Sequence, residues 1–141
     1  YAILDGKRVE ISISHSHRWA VCSVGDRQHG TDIELSESRD MAFSDEAFDP
    51  QEVQLLRRIQ EEMDIEESLA QTLLFSAKEA YLKMMGTGLR TDLKKVSCTD
   101  VLKLPARSGL AFEILVGSGE KISKVEATVQ SAYVLTVCQK R

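Results

Sequence analysis

No stretch of the 141-residue chain approaches the ~18 consecutive apolar residues that a membrane span requires, and no signal-peptide pattern opens it. It has no excess of positive charge: 18 Lys and Arg stand against 22 Asp and Glu, a net charge of -4. That balance gives no overall attraction for nucleic acid or for an anionic membrane surface. A bound anion would have to be held locally, by a metal or by a few placed cations. There are only three cysteines, Cys22, Cys98 and Cys138, far apart and each among apolar neighbours. An odd, scattered set excludes a disulfide framework and a zinc cluster, and points to reduced core thiols in a cytoplasmic setting. Internal repeats and low-complexity tracts are absent as well. What remains is the composition of one ordinary domain with a real core, 43% hydrophobic and 28% charged. The chain starts at Tyr1, directly before a strand-like stretch, which suggests an excised domain or a processed piece with partner segments missing.

The pattern of elements gives the fold class. "KRVEISISHS" alternates apolar and polar residues and predicts a strand ending near His15. "RWAVCSV", Arg18 to Val24, predicts a second strand, and "HGTDIEL", His29 to Leu35, a third after a "GDRQ" turn. The short spacings favour an antiparallel meander of all three. "SESRDMAFSDEAF" has no clear period. At "FDPQEVQLLRRI" a helix begins, with Asp49 as N-cap, Pro50 at the first position and Glu52 at the third. The main helix runs roughly from Glu66 to Met85, with Gly86 as its natural stop. "KKVSC", "GLAFEILVG", "ISKVEATVQ" and "AYVLTVCQ" then predict four strands. Strands, two helices and strands again predict an α+β domain, an antiparallel sheet packed against one long helix plus a shorter one.

Within the main helix, Ala70, Leu73, Leu74, Ala77, Ala80, Tyr81 and Met84 form one broad apolar stripe. Glu79 and Lys83 lie off it, and the plain reading is a solvated i,i+4 ion pair. Phe75 and Leu82 also fall beyond the stripe, so the charged flank faces something, either core or a partner. In the third strand Asp32 and Glu34 point to one face, with Ile33 on the other. Paired carboxylates repel and strands disfavour acidic residues, so the pair needs a reason. A hard divalent cation supplies one, and Glu79 would complete a three-carboxylate set. Near the end of the first strand, Ser14, His15, Ser16 and Arg18 combine hydroxyls, imidazole and guanidinium in a way that suits phosphate oxygens. His15-x-His17 would also suit zinc, although no cysteine or further histidine stands at useful spacing. His17 and His29 are expected at the surface or in hydrogen bonds. Arg57-Arg58 and Lys94-Lys95 are expected as solvated faces or as contacts for an acidic partner.

Taken in order, "SISHSHRWAV", "GTDIE" and "FSAKEAYLKMMGTGL" resemble the signature motifs of the phosphopantetheinyl transferases, closest to the surfactin- or enterobactin-type subgroup. The match spans about Ile11 to Leu89. Such enzymes move the phosphopantetheine arm of coenzyme A onto a serine of an acyl or peptidyl carrier protein, releasing 3′,5′-ADP. The resemblance implies that Asp32, Glu34 and Glu79 bind Mg2+, with Mn2+ as a possible substitute. It implies that Ser14, His15, Arg18 and Lys78 contact coenzyme A, and that Lys83 stabilises the pyrophosphate and assists the leaving group. Gly86, Thr87 and Gly88 would allow close backbone approach near the nucleotide. Either Glu79 or a metal-bound water would take the serine proton. The chain would correspond to the second of two pseudo-symmetric halves, one half-unit of that fold. It would then work within a larger synthase, or as copies that assemble into a homo-oligomer. A different class of reading, a non-catalytic coenzyme A-binding or assembly module, stands beside it.

Overall fold

The computed structural model describes residues 1–87 and 91–141. Strands β1 (Ala2–Leu4), β2 (Lys7–Ser16) and β3 (Trp19–Gly25) form one antiparallel sheet in the order β1-β2-β3. Strand β4 (His29–Leu35) departs from the expected meander. It pairs with β8 (Tyr133–Gln139) at the edge of a five-stranded antiparallel sheet, which continues through β7 (Lys121–Gln130) and β6 (Leu110–Ser118) to β5 (Ser97–Leu104).

The departure has a physical cause in three serines. Alternate residues of a strand share a face, so Ser12, Ser14 and Ser16 of β2 all point at β4. Their hydroxyls accept hydrogen bonds from Thr31 N (2.9 Å), Ile33 N (3.2 Å) and Leu35 N (3.1 Å). A row of side chains thus satisfies the edge of β4 that a backbone ladder would otherwise serve, leaving the opposite edge for β8.

Three helices lie between β4 and β5 in sequence among the described residues: α1 (Met41–Ala47), α2 (Pro50–Met63) and α3 (Glu67–Met85). Helix α1 falls in the segment without a visible period, because its seven residues make barely two turns; Asp40 caps it by accepting from Phe43 N at 2.8 Å. Helix α2 begins with the expected reciprocal cap, Glu52 N donating to Asp49 and Asp49 N to Glu52. Helix α3 ends at Gly86 in the left-handed conformation (φ 75°). There Gly86 N donates to Lys83 O and Thr87 N to Leu82 O, the paired bonds that close a helix against a left-handed residue. "KKVSC" differs from expectation too. Lys94 and Lys95 belong to a 3-10 turn (Leu93–Lys95) that the Asp92 side chain caps, and β5 starts only at Ser97.

The expected stripe of α3 is buried against the sheet residues Phe112, Ile114, Val116, Val125, Ala127 and Val134. Leu82 is buried as well, and Phe75 packs edge-on to Phe43 with ring centroids 5.2 Å apart, so both side chains beyond the stripe serve the interior. Helix α3 is therefore covered nearly all round, and its polar flank meets other elements instead of water. Cys98 and Cys138 are buried, and burial pushes the Cys138 thiol up to about 12; Cys22, expected in the core, is exposed. No helix among the described residues is long and apolar enough to cross a membrane.

Gly30 fixes how closely β4 approaches α3. A Cβ there would run into the Ala80 carbonyl, the Met84 amide and the Lys83 Cβ. The obstacles are mostly helix backbone and cannot swing aside. Gly30→Ala is expected to cost about 1–3 kcal/mol, as overpacking does, read as a lowered midpoint in thermal melts. An unchanged midpoint would show that α3 can retreat freely from β4.

Candidate active site

The close approach at Gly30 brings the middle of β4 onto the polar flank of α3. Asp32 sits at that junction, 2% exposed. Its Oδ1 accepts hydrogen bonds from Ser14 Oγ (2.9 Å) and Lys83 Nζ (3.0 Å), and its Oδ2 accepts one from Ser76 Oγ (2.8 Å). Lys83 also donates to the Thr31 carbonyl at 3.0 Å. The ammonium of Lys83 therefore serves β4, not the i,i+4 pair with Glu79 that the helix wheel suggested.

Glu34 follows on the same face of β4, half-buried, with Arg39 Nη2 3.9 Å from its Oε2. The Arg39 guanidinium lies over the Phe43 and Phe75 rings, 4.7 and 5.3 Å from their centroids. Burial raises the Glu34 carboxyl from its ordinary 4.5 to about 7, Asp32 and Glu79 add to the rise, and Arg39 and Lys83 oppose it. Burial and then Asp32 likewise raise Glu79, with Lys83 opposing. All three carboxyls thus share one electrostatic neighbourhood. Among the described residues no three His, Cys, Asp or Glu side chains close into a ligating group. The donor chemistry nevertheless fits a small hard cation: three carboxylic oxygen donors, two of them strained toward neutrality by burial and mutual repulsion. Glu79 opens onto a cleft of about 520 Å³ that is also lined by Asp45, Glu46, Asp92 and Lys94. With acids outnumbering the lysine there, an anionic ligand would enter this cleft in company with a cation.

The raised Glu34 pKa has a stability consequence. A carboxyl whose folded pKa exceeds its unfolded one binds more protons when folded, so stability falls as pH rises between the two values. Thermal melts are expected to show the midpoint dropping from about pH 4.5 to about pH 7 on this account, and Glu34→Gln is expected to flatten that slope. An identical slope in the variant would remove Glu34 as its source.

The structure places the remaining expected ligands apart. Ser14 is buried, its hydroxyl spent between Asp32 and Ile33 N, which differs from the expected phosphate contact. Lys78 differs more. It lies one residue before Glu79, hence about 100° round the helix, and faces α2. Its Nζ donates to Glu52 Oε1 at 2.7 Å and to the Ala47 carbonyl at 2.6 Å, fully buried, in place of the expected contact with coenzyme A. His15 and Arg18 are exposed, with His15 on the face of β2 opposite Ser14, so neither joins the carboxylates. Gly86 has open space beside its Cα, and Thr87 closes the helix end; Gly88 lies outside the described residues. His29 is a hydrogen-bonding residue as expected, between the Arg27 carbonyl and Ser23 Oγ. Arg58 pairs with Asp100 at 2.8 Å on the surface.

Ser76, Thr136, Arg39 and Glu52 also bear on this region, and the sequence does not single them out as site residues. The three alternate serines of β2 were a visible signal of a polar seam. Glu52 was visible only as a capping residue, and Arg39 gave no signal.

The family model of the 4′-phosphopantetheinyl transferase superfamily matches residues 28–138. The chain belongs to that superfamily. The matched span holds β4 through nearly all of β8, and with them Asp32, Glu34, Glu79, Lys78 and Lys83; β1, β2 and β3, with Ser14, His15 and Arg18, precede it. A search of curated proteins gives no match.

Proposed function

We propose that this chain transfers the 4′-phosphopantetheine arm of coenzyme A to a serine of an acyl or peptidyl carrier protein, releasing 3′,5′-ADP with the help of Mg2+. The observation that carries the reading is the electrostatic neighbourhood that Asp32, Glu34 and Glu79 share, with the Lys83 ammonium on Asp32, within a chain of the transferase superfamily. Asp32, Glu34 and Glu79 would hold the cation. Bound there, it would neutralise pyrophosphate charge, which is the main demand of phosphoryl transfer.

The chain's own groups would do the rest. The serine oxygen attacks the phosphorus that bears the pantetheine arm, one P–O bond forms, and the P–O bond to the 3′,5′-ADP phosphate breaks. Lys83 supplies positive charge beside the leaving oxygens. A Glu79 carboxylate oxygen that the cation does not occupy accepts the serine proton. Ser14 and Lys78 take structural parts in this reading, while His15, Arg18, Gly86, Thr87 and Gly88 remain the proposed nucleotide-side contacts.

The test is release of 3′,5′-ADP, followed by chromatography, from coenzyme A mixed with the protein, an apo carrier protein and Mg2+. Release that requires both carrier and Mg2+ is the expected result. Calorimetric binding of coenzyme A with no 3′,5′-ADP from any of several carriers would instead assign a binding module.

A further inference from the structure

We propose that Ser76 and Thr136 are positioning residues that clamp Asp32 for cation binding, an inference that rests on the reading of Asp32 as a metal ligand. Ser76 on α3 and Thr136 on β8 are both 0% exposed, and Thr136 is the register partner of Asp32 across the β4–β8 ladder. Burying two hydroxyls in a core otherwise rich in alanine, leucine and valine costs free energy unless each is well bonded.

The proton count shows what they do. Ser76 Oγ lies 2.8 Å from Asp32 Oδ2 and 2.8 Å from Thr136 Oγ1. An ionised carboxylate only accepts, so the single Ser76 hydroxyl proton goes to Asp32. Thr136 Oγ1 then has three acceptors in reach, Ser76 Oγ at 2.8 Å, the Ser76 carbonyl at 3.0 Å and the Asp32 carbonyl at 3.5 Å. In the proposed clamp Thr136 donates to Ser76 Oγ, which fixes the rotamer of Ser76, and Ser76 fixes one oxygen of Asp32. Ser14 and Lys83 hold the other oxygen. A carboxylate offers about four lone-pair positions. Two on Oδ1 and one on Oδ2 are filled, which leaves one acceptor position, on Oδ2, for a cation. Asp32 is in this way a preset single-oxygen ligand, and the hydroxyl pair behind it sets its orientation. Partners behind a ligand typically change metal affinity by about 10–100-fold when removed.

The experiment measures Mg2+ binding by calorimetry, and Mn2+ binding by electron paramagnetic resonance, on wild type, Thr136→Val, Thr136→Ser and Ser76→Ala. Thr136→Val keeps the shape and removes the hydroxyl, and Thr136→Ser keeps the hydroxyl. The expected result is at least about 10-fold weaker binding in Thr136→Val and Ser76→Ala, recovery in Thr136→Ser, and a Thr136→Ser midpoint close to wild type. Wild-type affinity in folded Thr136→Val overturns the clamp. Equal losses in Thr136→Val and Thr136→Ser also overturn it, because methyl packing would then be the cause. A wild-type protein that binds neither cation removes the metal reading itself and the clamp with it, whereas failure of the clamp alone leaves cation binding intact.

Discussion

Replacing Lys78 by methionine is expected to destabilise the fold by about 3–5 kcal/mol, the usual result of removing one partner from a buried ion pair. Lys78 and Glu52 are both 0% exposed, with Nζ 2.7 Å from Glu52 Oε1. Glu52 also accepts from Asp49 N (3.2 Å) and Cys98 N (3.0 Å), and Lys78 donates to Ala47 O at the end of α1. One pair of charges therefore ties α1, α2, α3 and β5 together. In Lys78→Met the Glu52 carboxylate would remain buried with only backbone amides for company. Urea denaturation followed by circular dichroism gives the midpoint, and an unchanged slope shows that stability alone moved. Lys78→Met with Glu52→Gln is expected to lose less than the two single losses combined, since the double variant leaves no charge unpaired whereas each single one does. A wild-type midpoint in Lys78→Met, with coenzyme A affinity lost, would return Lys78 to the ligand.

Glu79→Gln is expected to move activity and stability in opposite directions. On the proposed reading, loss of the base and of one cation ligand should lower the rate of arm transfer by at least about 10²–10⁴-fold, the range of a single general base. Burial and Asp32 raise the Glu79 pKa, so the charged form costs the folded state stability at neutral pH. Glutamine removes that charge. The variant is therefore expected to melt at or above the wild-type temperature near pH 7 while losing turnover, the trade expected where an active site stores repulsion. A variant that is both inactive and less stable would mark Glu79 as a structural group.

The sequence made visible those features that depend on neighbours a few residues apart. The cap at Asp49-Pro50-Glu52, the apolar stripe of α3, its stop at Gly86 and the last three strands all follow from local spacing. The carboxylates of the site were visible for the same reason, because strand alternation sets Asp32 and Glu34 on one face. What escaped was set by long-range pairing. Nothing near β4 says that its partner is β8, whose Thr136 lies 104 residues beyond Asp32. A helix wheel shows that α3 has a polar flank but not whether water or another element covers it. The wheel alone makes Glu79 and Lys83 a surface pair, although Lys83 reaches Asp32 and Lys78 reaches a glutamate already engaged in a helix cap. The β2 serines show the intermediate case. Their alternation was legible, but a motif that suits phosphate in its residue types served the edge of β4 instead.

The most direct test of the account is the intact mass of an apo carrier protein after incubation with this chain, coenzyme A and Mg2+, with Glu79→Gln and omission of Mg2+ alongside. The account predicts that the carrier gains the mass of one phosphopantetheine arm with wild type and Mg2+, and with neither control. A carrier modified equally by Glu79→Gln or without Mg2+ would contradict the assignment of Asp32, Glu34 and Glu79 as the working centre. An unmodified carrier in every mixture would contradict the transfer itself.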